Sequence, residues 1–187
     1  MLNKNVIFRD LRLDGNFSAL KRITSNIFEL SEAISLHFAF TFLQGIAAGN
    51  GGKIKNLSIM CHGYGRKNPR KVLGAEVSLW DGGLGLQLGT EGLLEETVAI
   101  WAEIKNKVEN IIVYSCGAAD IQPGSGDGEG NGEALMKKLA RETNANVFAA
   151  DELQRYYLKG IDFSKWEGNL LCFTPSGQKF PMPNFIY

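Results

Sequence analysis

Apolar and polar positions follow one another along this chain in blocks with two distinct periods. Val6 to Phe8 is a short apolar run that reads as an opening strand, and Leu20, Ile23, Ile27 and Leu30 then recur at helical spacing, predicting a helix from about Phe17. Residues 31–48 fit two templates: Ser31 is placed to cap a helix ending at Ala48, while Leu36, Phe38, Phe40 and Phe42 alternate as in a strand. From Ile54 to Cys61 the pattern is that of a buried strand, ending at His62-Gly63. Ala75, Val77 and Leu79 alternate, Asp81-Gly82-Gly83 supplies a turn, and Leu84, Leu86 and Leu88 alternate again, which predicts a hairpin. Leu94, Val98, Trp101, Ile104 and Val108 step by three and four, leaving Glu95, Glu96, Glu103 and Lys107 to solvent as on an amphipathic helix.

The β-branched, uncharged run Ile111 to Ser115 has the composition of a central strand. Residues 120–132 are a loop by composition, Leu135, Met136, Leu139, Ala140 and Thr143 mark a second amphipathic helix, and Val147 to Ala150 a further strand. A closing hairpin is expected between Leu170–Phe173 and Lys179–Phe180 around Pro175-Ser176-Gly177. Strands alternating with helices from residue 57 to 150 predict a single α/β/α sandwich with a mostly parallel sheet.

Composition narrows the function classes. The chain has 187 residues, with 20 basic and 20 acidic side chains, so no net charge draws it to nucleic acid or to an anionic membrane surface. Eleven Phe, five Tyr and three Trp exclude a disordered composition. Ala33 to Ala48 is too short and too polar to span a bilayer, and the amino end lacks the apolar core of a signal peptide. Three irregularly spaced cysteines make no disulfide framework, so a reducing, cytoplasmic setting is expected.

Two strands end in reactive residues: Cys61-His62-Gly63 and Ser115-Cys116-Gly117. In an open parallel sheet, sites form beyond the carboxyl ends of the strands. An imidazole beside a thiol takes its proton, and the resulting thiolate is a nucleophile for acyl transfer. Gly63, with no side chain, allows its N–H to approach a reacting carbonyl, and the Cys116 N–H is the natural second oxyanion donor. The plainer reading is a packed cysteine and a loop histidine, both residue types being common at such places. Cys61 and Cys172 sit in apolar runs and read as core, and His37, among phenylalanines, as a core or surface histidine.

The segments IKNLSIMCHGYG and IIVYSCGAAD resemble those of the caspase-like cysteine peptidases, the group that holds metacaspases, clostripain, gingipains, legumain and separase. His62 and Cys116 lie 54 positions apart, against the roughly 50 of caspases. The resemblance implies His62 as general base, Cys116 as nucleophile and Gly63 as oxyanion donor. With GGLGLQLG and GNGEALMKKLARETNANVFAA in the same order, the chain is most similar over residues 54–150 to an uncharacterised bacterial branch of that fold. It departs from the caspase signature before the cysteine, where Tyr114-Ser115 replaces Gln-Ala, and from metacaspases in having Ser115 instead of an acid.

Several other chemistries fit less well. A serine hydrolase at Ser115 lacks both the first elbow glycine and any later histidine. No Cys-x-x-Cys or His-x-x-x-His pair offers zinc a site, and the 124–132 glycines lack the Lys-Ser/Thr ending of a phosphate loop. Asp120, Asp127 and Glu129 are the one loose calcium-like set, against the plainer reading of a solvated loop. A catalytically silent module of the same fold, acting through surface recognition, is the standing alternative to a peptidase acting on a peptide or protein substrate. For the peptidase, Asp120 and Asp151 point to basic residues before the scissile bond, whereas Arg9, followed by Asp10, is the feature that would select acidic ones. The alternate glycines of the 120–132 loop predict a mobile backbone near the cleft.

Overall fold

The computed structural model describes residues 4–14, 24–72, 75–122, 126, 130–154 and 166–183. In chain order these form β1 (Asn5–Asp10), β2 (Ile27–Leu30), α1 (Leu36–Gly49), β3 (Ile54–Met60), β4 (His62–Gly63), β5 (Arg66–Val72), β6 (Ala75–Asp81) and β7 (Leu86–Gln87). A 3-10 helix (Val98–Ile104), β8 (Val108–Tyr114), α2 (Gly132–Thr143), β9 (Asn146–Ala150), β10 (Leu170–Phe173) and β11 (Lys179–Met182) follow. Seven strands make one sheet in the order β11-β10-β9-β8-β3-β1-β2. From β2 to β9 all neighbours are parallel, and β10 and β11 close one edge antiparallel. The protein is therefore a mixed α/β fold around a mostly parallel sheet, with β8 at its centre as its β-branched run requires.

Alternation sends strand residues to two faces. Val6, Phe8, Leu57, Ile59, Ile111, Val113, Val147 and Ala149 meet the apolar stripes of α1, the 3-10 helix and α2, with Trp101 and Phe40 edge to face at 5.1 Å. Ile7, Met60, Ile112, Tyr114 and Phe148 point the other way and pack with Leu13, Leu170 and Cys172. Near the amino ends of four adjacent strands, side-chain amides bond sideways: Asn56 to Asn5 at 3.0 Å, Asn110 to Asn56 at 3.1 Å, and Asn146 to Asn110 at 3.4 Å. Unpaired buried amides are costly, so each amide here stabilises its neighbours.

Four sequence expectations change. Residues 31–48 resolve as a helix that starts at Leu36, capped by Ser35 instead of Ser31. Glu91 reaches across to its first turn, accepting from Leu36 N–H at 2.8 Å and from the Ser35 hydroxyl, and a carboxylate is favoured at that helix end. The helix expected over 94–108 is a 3-10 helix of seven residues, and Val108 opens β8 instead; β-branched Val98 and Ile100 favour a long α-helix poorly. The hairpin partner of β6 is β5, not 84–88, while Leu86–Gln87 pairs with His62–Gly63. RKNPRKV, charged and carrying a proline, gives no strand signal. The opening strand, α2, β9 and the closing hairpin match their expectations. The helix expected from Phe17 ends differently, because Ile27 and Leu30, counted in its stripe, form β2 beside β1. Residues 15–23 lie outside the described residues, as do 123–125 and 127–129 of the 120–132 loop. Among the described residues no helix is long and apolar enough to cross a membrane.

Candidate active site

β3 and β8 are parallel neighbours, and their last paired residues are Met60 and Tyr114. One position further, Cys61 and Ser115 meet, both fully buried on the helix-covered side. The next position brings His62 level with Cys116. Here the two strands leave the seven-stranded sheet: His62 opens β4, and Cys116 begins the turn after β8. Both expected residues thus follow neighbouring strands at the carboxyl edge of the sheet, with His62 exposed and Cys116 half-buried.

Gly63 explains the His-Gly pair in steric terms. A Cβ at Gly63 would stand 2.0 Å from the Cys116 carbonyl oxygen, so only glycine lets β4 cross the end of β8. Its pairing with Leu86 is a non-hydrogen-bonded position, because Tyr64 N–H donates to Gly85 O at 2.8 Å in the adjacent position. Gly63 N–H is thereby left out of the ladder. Cys116 N–H likewise donates to no backbone carbonyl among the described residues, whereas Gly117 N–H is taken by Glu152 O at 2.9 Å.

The imidazole is oriented from β1. His62 Nε2 lies 3.1 Å from Arg12 O. A carbonyl only accepts, so Nε2 carries the proton and Nδ1 is left with its lone pair. Arg12 is itself fixed by Asp10, donating through Nε to Oδ1 at 2.7 Å and through NH2 to Oδ2 at 2.6 Å, while Gly89 N–H donates to Oδ2 at 2.9 Å. Burial pushes the Asp10 carboxyl up, but the Arg12 and Gly89 donors outweigh it and hold it below its ordinary value.

Cys116 is placed differently. Its thiol donates to Gln154 O at 3.5 Å, and it shares no hydrogen bond with His62. Burial raises its pKa, the Gln154 backbone opposes that rise, and the Glu167 carboxylate adds to it. Nearby Trp166 stacks on Tyr114, with ring centroids 4.5 Å apart. Cys61 is fully buried, its thiol pushed up to about 12 by that burial, and Cys172 is packed in the second apolar cluster, so neither rivals Cys116 in access. His37 is an exposed surface histidine, 2.9 Å from Glu103 Oε2.

The residues expected to set specificity all have partners. Asp120 accepts from Gly82 N–H at 2.7 Å and from Ile121 N–H at 2.8 Å. Asp151 accepts from the backbone and side chain of Asn169 at 2.7 and 2.9 Å. Arg9 pairs with Glu29 at 2.8 Å, and Asp10 with Arg12. Asp127 and Glu129 lie outside the described residues, and among those described no group of three or more His, Cys, Asp or Glu is placed to hold a metal. An open groove of about 560 Å³ is walled by Tyr64, Gly83, Leu84, Leu94, Glu96 and Leu135. It adjoins the site through the chain itself, since Tyr64 follows Gly63 and Gly83 N–H donates to Gly117 O at 2.9 Å.

Arg12 and Gln154 were not legible as site residues. Both act through backbone carbonyls, which every residue type possesses. No family model, curated protein or solved structure matches this chain.

Proposed function

We propose that this protein is a cysteine-dependent peptidase built on a three-layer, caspase-like arrangement, with Cys116 as nucleophile and His62 as general base. The observation that carries the reading is the pairing of a fixed imidazole tautomer with a glycine that admits β4 to the Cys116 backbone. The Cys116 S–H proton passes to His62 Nδ1, and sulfur attacks the peptide carbonyl carbon. The carbonyl π pair moves to oxygen, where Gly63 N–H and Cys116 N–H stabilise it. Collapse breaks the C–N bond, the amine leaves with the proton from Nδ1, and water then hydrolyses the thioester with the same base. Throughout, the Arg12 carbonyl holds Nε2–H and stabilises the imidazolium.

Substrates are peptides or proteins, with basic residues favoured before the scissile bond. The exposed Glu96 on the groove wall supplies a carboxylate for such a residue. Three free cysteines suit a reducing, cytoplasmic setting. A silent recognition module is the second reading, favoured by the contact between the Cys116 thiol and Gln154 O. A positional peptide library assayed on the intact chain and on Cys116→Ala separates the two. Cys116-dependent cleavage after Lys or Arg is expected. No cleavage of any library, with no acyl-enzyme trapped by a peptide electrophile at Cys116, would establish the silent module.

A further inference from the structure

Residues 152–154 lie beside Cys116, and the Gln154 side chain ties them to 166–167, in addition to the Asp151–Asn169 bonds at the base of the segment. Gln154 is 8% exposed. Its Nε2 donates to Glu152 O at 3.0 Å and to Glu167 O at 2.9 Å, and its Oε1 accepts from Glu167 N–H at 3.3 Å. Glu152 O also receives Gly117 N–H at 2.9 Å, so the same corner is anchored to the residue that follows the nucleophile. The corner's outermost acceptor, the carbonyl of Gln154 itself, rests on Cys116 Sγ.

We infer that Gln154 is a positioning residue for Cys116: its amide clamps 152–154 to 166–167, and the clamped carbonyl caps the thiol in a resting orientation. Attack on a substrate then requires this corner to move, which makes access to sulfur a property of the clamp. The inference rests on the reading of Cys116 as nucleophile, yet capping is measurable without any substrate. The groups that act on the sulfur are the Gln154 backbone and Glu167 from the segment before β10, and Cys116 in turn acts on the buried Cys61. Burial raises the thiol's pKa, and opening the corner relieves that burial.

The test is the rate of Cys116 alkylation by iodoacetamide on the intact chain, from about pH 6 to pH 10, the range in which a thiol titrates. Gln154→Ala and the volume-matched Gln154→Met are each expected to react about fivefold faster near neutrality, with the profile shifted to lower pH. Cys61 and Cys172 should label no faster than before. An unchanged Cys116 profile overturns the inference, as does an equal gain at all three cysteines, which reports general loosening. Loss of fold in both variants also overturns it, since Gln154 would then hold the fold and not the nucleophile. Faster alkylation without peptide turnover leaves the clamp standing and removes the peptidase reading.

Discussion

β3 has a polar corner on either side of its carboxyl end, and the two are built to opposite rules. On the β1 side, Asp10 is fully buried and both of its oxygens are filled by Arg12 and Gly89. On the β8 side, Cys116 has one long sulfur contact, and the neighbouring N–H groups of Gly63 and Cys116 are left out of the backbone ladder. A saturated, charge-assisted corner is architecture, because every change to it removes a bond. An under-bonded corner leaves donors and a thiol for something else to use. His62 takes its orientation from the first corner, through the Arg12 carbonyl.

The sharpest way to break this comparison is to remove its reactive half. Cys116→Ala and His62→Ala should each lower peptide turnover by about a thousandfold or more, with thermal unfolding near that of the parent. A large loss of stability at either position would make the β8 corner structural as well. Next in size, Asp10→Ala leaves the Arg12 guanidinium without its buried partner and should cost about 3–5 kcal/mol, read in denaturant unfolding. Since Arg12 also carries the carbonyl that holds His62, turnover of the surviving fold should fall with it.

Gly63→Ala should cost about 1–3 kcal/mol by overpacking and also reduce turnover, because the new Cβ pushes the Cys116 carbonyl away. Activity retained at full stability would show that β4 is free to shift. The smallest effect is the pH response of the saturated corner. Asp10 is held below its ordinary value, so its contribution is complete above the ordinary carboxylate range of about pH 4 and is lost as pH falls through the folded value. Unfolding midpoints measured on acidification should therefore drop less steeply in Asp10→Asn than in the parent.

Much of the scaffold was legible because buried strands and amphipathic helices write their period into the sequence: Ile111 to Tyr114 and Leu135 to Thr143 are where their patterns put them. The 84–88 alternation misled because a period of two fixes a strand but not its partner. Leu86–Gln87 does pair, but with His62–Gly63 from upstream. In the site, His62, Gly63 and Cys116 were visible through residue chemistry at strand ends. The Arg12 and Gln154 carbonyls were not, since main-chain acceptors leave no mark in a sequence. The acids expected to line a pocket were recognisable as acids, but nothing in one dimension shows that Asp120 and Asp151 are already occupied by backbone N–H groups.

The asparagine amides at the far end of the sheet have a consequence for this site. Asn56 is paired with Asn110, and His62 and Cys116 each lie six positions beyond their own asparagine. The amide chain is thus a datum line from which both strands are measured, at the edge remote from the chemistry. A slip of β3 by a single position would set Cys61 level with Cys116, thiol beside thiol, and turn the imidazole into the helix-covered core. The register of the residues that follow β3 and β8 is gauged at one end of the sheet and delivered at the other.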